Sequence, residues 1–311
     1  MEFISVKNGW LFPGQASQKV GMGKDLFDKT EIGKKYYNIA NDILEVDIQS
    51  ISFNGPDELL KKTKYTQPAI FIVSTIIAKI MIENGHSADG VSGHSLGEYS
   101  ALVVAGAFDF ESGLELVKLR SESMYNAGKN NPGSMAAIVG LSANEVEKLC
   151  IDNTPDKLVV AANYNTENQI VVSGHIEAVE ALIISAKDRG ARMAIPLNVS
   201  GAFHSPLMRS VREELADKLD SIEISDIKIP VFTNVDAKPK TKGAEIKNSL
   251  IQQLENPVQW SSSIKNMIEH DFTSFLEIGP GKVLQGLNHK IKRTIPTKGI
   301  QSYDDILTYE V

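Results

Sequence analysis

Cysteine is almost absent from this 311-residue chain: the one thiol, Cys150, has no second cysteine with which to form an internal disulfide. The fold must therefore rest on noncovalent packing, and it suits a reducing compartment. Basic residues are in deficit, 32 Lys and Arg against 39 Asp and Glu, a formal net charge of −7 with no Lys/Arg-rich run. That balance argues against nucleic acid as the main partner, because neutralising phosphates needs a clustered basic surface. The 6 histidines, at positions 86, 94, 175, 204, 270 and 289, show neither a His-Glu-x-x-His run nor any pairing with cysteine, so no spacing suggests a metal. Gly-x-Gly-x-x-Gly and Walker loops are missing too. The first residues, Met1-Glu2-Phe3-Ile4-Ser5, lack the charged and apolar regions of a signal peptide. No stretch is expected to span a membrane, and the expected location is the cytoplasm.

What remains is ordinary globular material, 42% hydrophobic and 23% charged, enough for a substantial core in one large domain or two smaller ones. Short apolar runs at 9–12, 229–233 and 274–278 alternate with helical patterns over 70–84, 96–106, 111–127, 206–220 and 261–269. This is the rhythm of an α/β sheet covered by helices. Between 135 and 198 the pattern changes. A strand at 135–141 leads through the capping box Ser142-x-x-Glu145 into a helix ending at Cys150; strands follow at 158–163 and 169–173, then a helix at 176–188 and a strand at 192–199. The order β-α-β-β-α-β predicts a ferredoxin-like subdomain inserted at 131–199. Residues 1–130 and 200–311 are expected to form one large α/β domain of the α/β-hydrolase type. The turn-rich run 128–133 reads as the joint between them.

Gly93-His94-Ser95-Leu96-Gly97 places a serine between two glycines where a short strand meets a helix. In such an elbow the hydroxyl projects from a strained turn as a nucleophile. The following N–H, that of Leu96, stands at a helix start, where unpaired donors and the helix dipole favour an oxyanion. An ordinary Gly/Ser turn before a buried helix fits the same five residues. A serine nucleophile needs a base, and His204 in Ala202-Phe203-His204-Ser205-Pro206 lies in a loop beside the insert's last strand; a lone histidine there could equally be a surface or capping residue. His94 reads as structural support. Leu116, Arg120 and Met124 recur every four residues, which places a guanidinium on an apolar helix face. It is met either by a protein carboxylate, by solvent, or by a substrate carboxylate. Phe12-Pro13-Gly14-Gln15 leaves a strand through a turn, so the Gln15 amide is a second oxyanion donor or a plain turn residue. Glu277-Ile278-Gly279-Pro280-Gly281-Lys282 reads as architecture, and Gln67-Pro68 as the opening of the helix that follows.

Taken together with Gln253-Leu254 and Asn256-Pro257-Val258, these motifs, in this order and nearly end to end, closely resemble the malonyl-CoA:acyl carrier protein transacylase family. The resemblance implies a ping-pong transfer. Ser95, deprotonated by His204, takes the malonyl group from malonyl-CoA as an ester and passes it to the pantetheine thiol of acyl carrier protein. It further implies an oxyanion hole from the amides of Gln15 and Leu96, a carboxylate grip by Arg120, and a main-chain carbonyl at Gln253 orienting the imidazole in place of an acid. Phe203 matches malonyl-selecting members, since a bulky ring would crowd an α-methyl group. The implied chemistry uses no cofactor, malonyl-CoA being a substrate, and the expected state is a monomer. Lys187, Arg189 and Arg192, or Lys290, Lys292 and Arg293, are the expected carrier-docking cations. A free-standing polyketide-pathway acyltransferase, an acyl-thioester or ester hydrolase using the same Ser-His pair, and a non-catalytic carrier-binding protein are the competing expectations.

Overall fold

The structure, a computed structural model, describes residues 7–152, 157–199 and 201–309. Met1–Ser5, the outer ends of the expected large domain and its rejoining point at residue 200 lie outside them.

The described residues hold ten strands, numbered in order: β1 (Lys7–Phe12), β2 (Gly90–Gly93), β3 (Gly133–Val139), β4 (Val159–Thr166), β5 (Gln169–His175), β6 (Met193–Pro196), β7 (Val231–Phe232), β8 (Pro239–Lys240), β9 (Phe272–Ile278) and β10 (Thr297–Ile300). A six-stranded sheet runs β10-β9-β1-β2-β7-β8, parallel except at its β7–β8 hairpin. Parallel neighbours need crossover connections, and helices supply them. β1 and β2 are in register from Gly9 with Gly90 to Phe12 with Gly93. Their carboxyl ends therefore release the Gln15 loop and the Ser95 elbow side by side, tied by the His94 N–H to the Phe12 carbonyl at 2.9 Å.

The second sheet, β4-β5-β3-β6, is antiparallel, and with the helices Ala143–Asp152 and Ile176–Asp188 it has the β-α-β-β-α-β order of a ferredoxin-like unit. The pleat sends alternate residues to opposite faces. Ala136 and Ile138 join Val146, Leu149, Ile170, Val172, Val179 and Leu182 in a core of the unit's own, while Met135, Ala137 and Val171 line a cleft against the large sheet. The mixed α/β architecture with a small ferredoxin-like unit is the expected fold class. Backbone bonds from Val258 N–H to Ala162 and from Tyr164 N–H to Val258, both 2.9 Å, tie β4 to the large unit.

Three expectations need correction. The helix expected at 70–84 begins at Thr63, so Gln67 and Pro68 lie inside it rather than before it. Pro68 deprives the Lys64 carbonyl of its helical donor, and Ser121 Oγ lies 3.5 Å from that oxygen and 3.1 Å from the Lys118 carbonyl. The same helix, Thr63–Glu83, is long and apolar enough to cross a membrane, contrary to the expectation that no stretch is. Its apolar window is 83% buried inside the molecule, as a core helix requires. The helix expected at 111–127 runs Phe110–Asn130 and absorbs the first half of the proposed joint, and the Asn131 N–H still bonds the Ala127 carbonyl at 2.8 Å.

Candidate active site

The elbow forms because both glycines are sterically required: a Cβ at Gly93 would sit 1.9 Å from the Gly97 carbonyl carbon, and one at Gly97 would sit 2.0 Å from the Phe12 oxygen. Between them Ser95 adopts φ +52°, a conformation side chains resist. Asn234 holds it there: its Oδ1 accepts from the Ser95 N–H at 2.7 Å, and its Nδ2 donates to the Gly93 carbonyl at 2.6 Å. The first free amide after Ser95 is then that of Leu96, at the start of the helix Gly97–Ala105. Leu96 and Gln15 both line the cleft, and among the described residues no acceptor takes either backbone N–H.

His204 sits in a turn closed by Ser205, whose hydroxyl caps the Leu207 N–H at 3.3 Å and donates to the Ala202 carbonyl at 2.7 Å. Its Nε2 lies 2.8 Å from Ser95 Oγ and its Nδ1 lies 2.9 Å from the Gln253 carbonyl. A carbonyl only accepts, so Nδ1 carries the proton and Nε2 presents its lone pair to the Ser95 hydroxyl. Gln253 is the last residue of the helix Gly243–Gln253, where carbonyls have no helical partner and the dipole is negative. A helix end thus does the orienting that an acid does elsewhere. Burial, and then the charge of Arg120, push His204 down to about 3, so the imidazole is a neutral base throughout the neutral range.

Arg120 is fully buried on the helix Phe110–Asn130, which Asp109 caps by accepting the Ser112 N–H at 2.8 Å. Its Nη1 donates to Gln67 Oε1 at 2.6 Å, and its Nη2 donates to Gln253 Oε1 at 3.0 Å and to Ser95 Oγ at 2.9 Å. Among the described residues no carboxylate forms an ion pair with it, and its Nε–H is buried without a partner. The Tyr99 ring lies 5.4 Å from its Cζ. A buried cation held by two neutral amide oxygens keeps its full charge for an anion from outside. Burial lowers its proton affinity, but a guanidinium stays charged at any ordinary pH.

The cleft holds about 480 Å³ and is walled by Met135, Ala137, Val171, Phe203 and the helix Val283–Ile291. All seven expected site residues either line this cleft or, as with Gln253, touch the residues that do. His94 also lines it, and its Nε2 meets Asn165 Oδ1 of β4 at 2.8 Å, a link between the two units. Four contributors were not foreseen: Gln67, Asn234, Asn165 and Glu98. Of these only Glu98 left a trace, as the one carboxylate in an otherwise apolar or small-residue helix. Glu277 is architectural, its carboxylate capping the N–H groups of Leu284 and Gln285 at 3.0 and 3.2 Å. Of the expected docking cations, Arg189 is engaged with Asp152 at 3.3 Å, and Lys290 donates to Gln169 Oε1 at 3.3 Å. Among the described residues no three His, Cys, Asp or Glu side chains converge as metal ligands would.

The chain is similar to known proteins along nearly its whole length. The family model of the acyl transferase domain matches residues 9–304. The malonyl CoA-acyl carrier protein transacylase of Bacillus subtilis is 42% identical over 301 residues, covering 96% of this chain and 95% of that protein. Its namesake from Synechocystis is 42% identical over 304 residues, covering 97% and 99%. Among solved structures, an acyl carrier protein S-malonyltransferase from Vibrio cholerae superposes with a TM-score of 0.94 at 36% identity, over 98% of this chain and 100% of the other. A malonyl-transacylase in complex with a type II polyketide acyl-carrier protein gives 0.93 at 36% identity, over 97% and 98%.

Proposed function

The chain belongs to the acyl transferase family of malonyl CoA-acyl carrier protein transacylases, and from that membership we propose the following reaction and residue roles. It is an acyl carrier protein S-malonyltransferase, moving malonyl from coenzyme A to the carrier's pantetheine thiol in fatty acid or polyketide synthesis. The observation that carries the reading is the buried Arg120 without an anion, 2.9 Å from a serine hydroxyl that is itself 2.8 Å from a neutral imidazole.

In the first half-reaction the malonyl carboxylate docks on Arg120, which places the thioester carbonyl against Ser95. Ser95 Oγ forms the new C–O bond while its proton passes to His204 Nε2. The oxyanion is held by the Gln15 and Leu96 amides. Its collapse breaks the C–S bond, and coenzyme A leaves with the proton from His204. A malonyl-serine ester remains. In the second half the carrier's thiol gives its proton to His204 and attacks the ester, and Ser95 leaves as an alcohol with that proton restored. Phe203 lines the cleft, and in this reading its ring crowds an α-methyl substituent on the acyl group. The reaction needs no cofactor, and the enzyme acts as a monomer in the cytoplasm.

The relative solved with a polyketide carrier keeps both pathways within the reading. A hydrolase with the same Ser-His pair would send the acyl group to water instead. Following labelled malonyl from malonyl-CoA separates the two: it should arrive on carrier protein in high yield with little free malonate. Free malonate as the main product, with carrier present, would overturn transfer.

A further inference from the structure

Glu98 is completely buried one turn beyond Ser95 and does not line the cleft, yet two of the site's supports end on one of its oxygens. Its Oε2 accepts from Gln253 Nε2 at 3.0 Å and from the Asn234 backbone N–H at 2.9 Å. The second hydrogen of Gln253 Nε2 goes to the Ser95 carbonyl at 3.0 Å, and Gln253 Oε1 receives Arg120 Nη2 at 3.0 Å. The polarity of this chain is fixed at both ends. Arginine only donates, and the Ser95 carbonyl only accepts. An amide turned the other way would set its NH₂ against the guanidinium and its oxygen against two acceptors.

We infer that Glu98 is a positioning residue for carboxylate recognition: it holds the Gln253 side chain the one way round that offers an oxygen to Arg120. The guanidinium is thereby aimed by neutral oxygens, with the negative charge kept one side chain further off. A carboxylate in direct contact with Arg120 would aim it equally well but would neutralise the charge a substrate anion needs. The division of labour within Gln253 follows, its side chain serving Arg120 and its main-chain carbonyl serving His204.

Burial pushes Glu98 up to about 7, against the pull of the Asn234 and Gln253 donors. Either protonation state can keep the arrangement, because Oε1, which has no partner, can carry the proton while Oε2 goes on accepting. Accepting geometry rather than charge is the working property, which makes Glu98→Gln the conservative variant and Glu98→Met the disabling one of similar size.

This inference rests on the malonyl-transfer reading, so the test measures kcat and KM for malonyl-CoA and acetyl-CoA side by side in the full-length enzyme. In Glu98→Met the malonyl-over-acetyl ratio of kcat/KM should fall by about tenfold or more, the worth of one misaimed charge-assisted hydrogen bond, mostly through a raised KM for malonyl-CoA. Glu98→Gln should stay within about threefold of wild type. Equal losses on both substrates, or the same ratio collapse in Glu98→Gln, would overturn it. Where Glu98→Met does not fold, Gln253→Met breaks the same link while retaining the carbonyl for His204: the ratio should fall again, and an equal loss on both substrates again refutes the role. A wild-type enzyme with no preference for malonyl would refute the transfer reading instead, so the two failures are distinct.

Discussion

Ser95 and His204, separated by 109 positions in sequence, meet at 2.8 Å and share a backbone conformation that neither side chain favours, with φ of +52° and +56°. Each is held there by its neighbours, Ser95 by the Asn234 amide and the Gly93–Gly97 contact, His204 by the Ser205 cap and the Gln253 carbonyl. Strain of this kind persists only where surrounding contacts impose it, and here it aims the Ser95 hydroxyl and the His204 imidazole at each other.

Removing the Ser95 hydroxyl should expose that strain. Ser95→Ala and Ser95→Gly both abolish transfer, but the glycine variant should unfold at higher urea, by about 1 kcal/mol, because only glycine adopts a positive φ without cost. Alanine is ordinarily the more stabilising of the two. An alanine variant more stable than the glycine one, the ordinary order, would mean that the elbow carries no strain.

Arg120→Ala should separate two substrates. Malonyl transfer loses a charge-assisted grip and should fall about a hundredfold, whereas acetyl transfer, which offers no carboxylate, should change far less. The kcat/KM values for the two thioesters report this directly. Equal losses would remove the carboxylate assignment.

The pH profile should lack the usual imidazole limb. His204 must be neutral to accept the serine proton, and burial with Arg120 nearby takes it from 6.5 to about 3. The kcat/KM for malonyl-CoA should therefore hold steady down through pH 6.5, and a limb centred there would contradict the buried base. Stability moves with the same group. Unfolded chain protonates His204 at about 6.5 and the folded protein resists until about 3, so its contribution is whole above 6.5 and is lost as pH falls across that window.

Gly97→Ala tests the elbow's packing. A Cβ there would lie 2.0 Å from the Phe12 oxygen and 3.0 Å from the Pro13 oxygen, backbone atoms of the adjoining strand end that cannot swing aside. The variant should lose several kcal/mol of stability, roughly the cost of severe overpacking, and unfold at markedly lower urea. A wild-type midpoint would show that β1 and the elbow can separate.

Much of this site was legible because it is written in local signals. Gly93-His94-Ser95-Leu96-Gly97 encodes a turn whose geometry follows from five residues, and the 2-residue alternation and 3.6-residue period around 133–196 encode the small unit. The four-residue spacing through Leu116, Arg120 and Met124 placed a guanidinium on a buried face, but not its partners. Gln67, Gln253 and Asn234 are polar amides whose roles depend on which distant element they meet, and no periodicity reports that. Gln67 was further hidden by Pro68, which reads as a helix start although the chain continues the helix through it. The turn-rich run at 128–133 misled for the opposite reason, because the preceding helix had enough packing along its length to run on through Asn130.

Intact mass after brief incubation with malonyl-CoA in the absence of carrier tests the central claim most directly. The account predicts one added malonyl group, mapping to Ser95, absent from Ser95→Ala and discharged when carrier protein is supplied. An unmodified wild-type mass under conditions that sustain transfer, or a malonyl adduct persisting in Ser95→Ala, would contradict it.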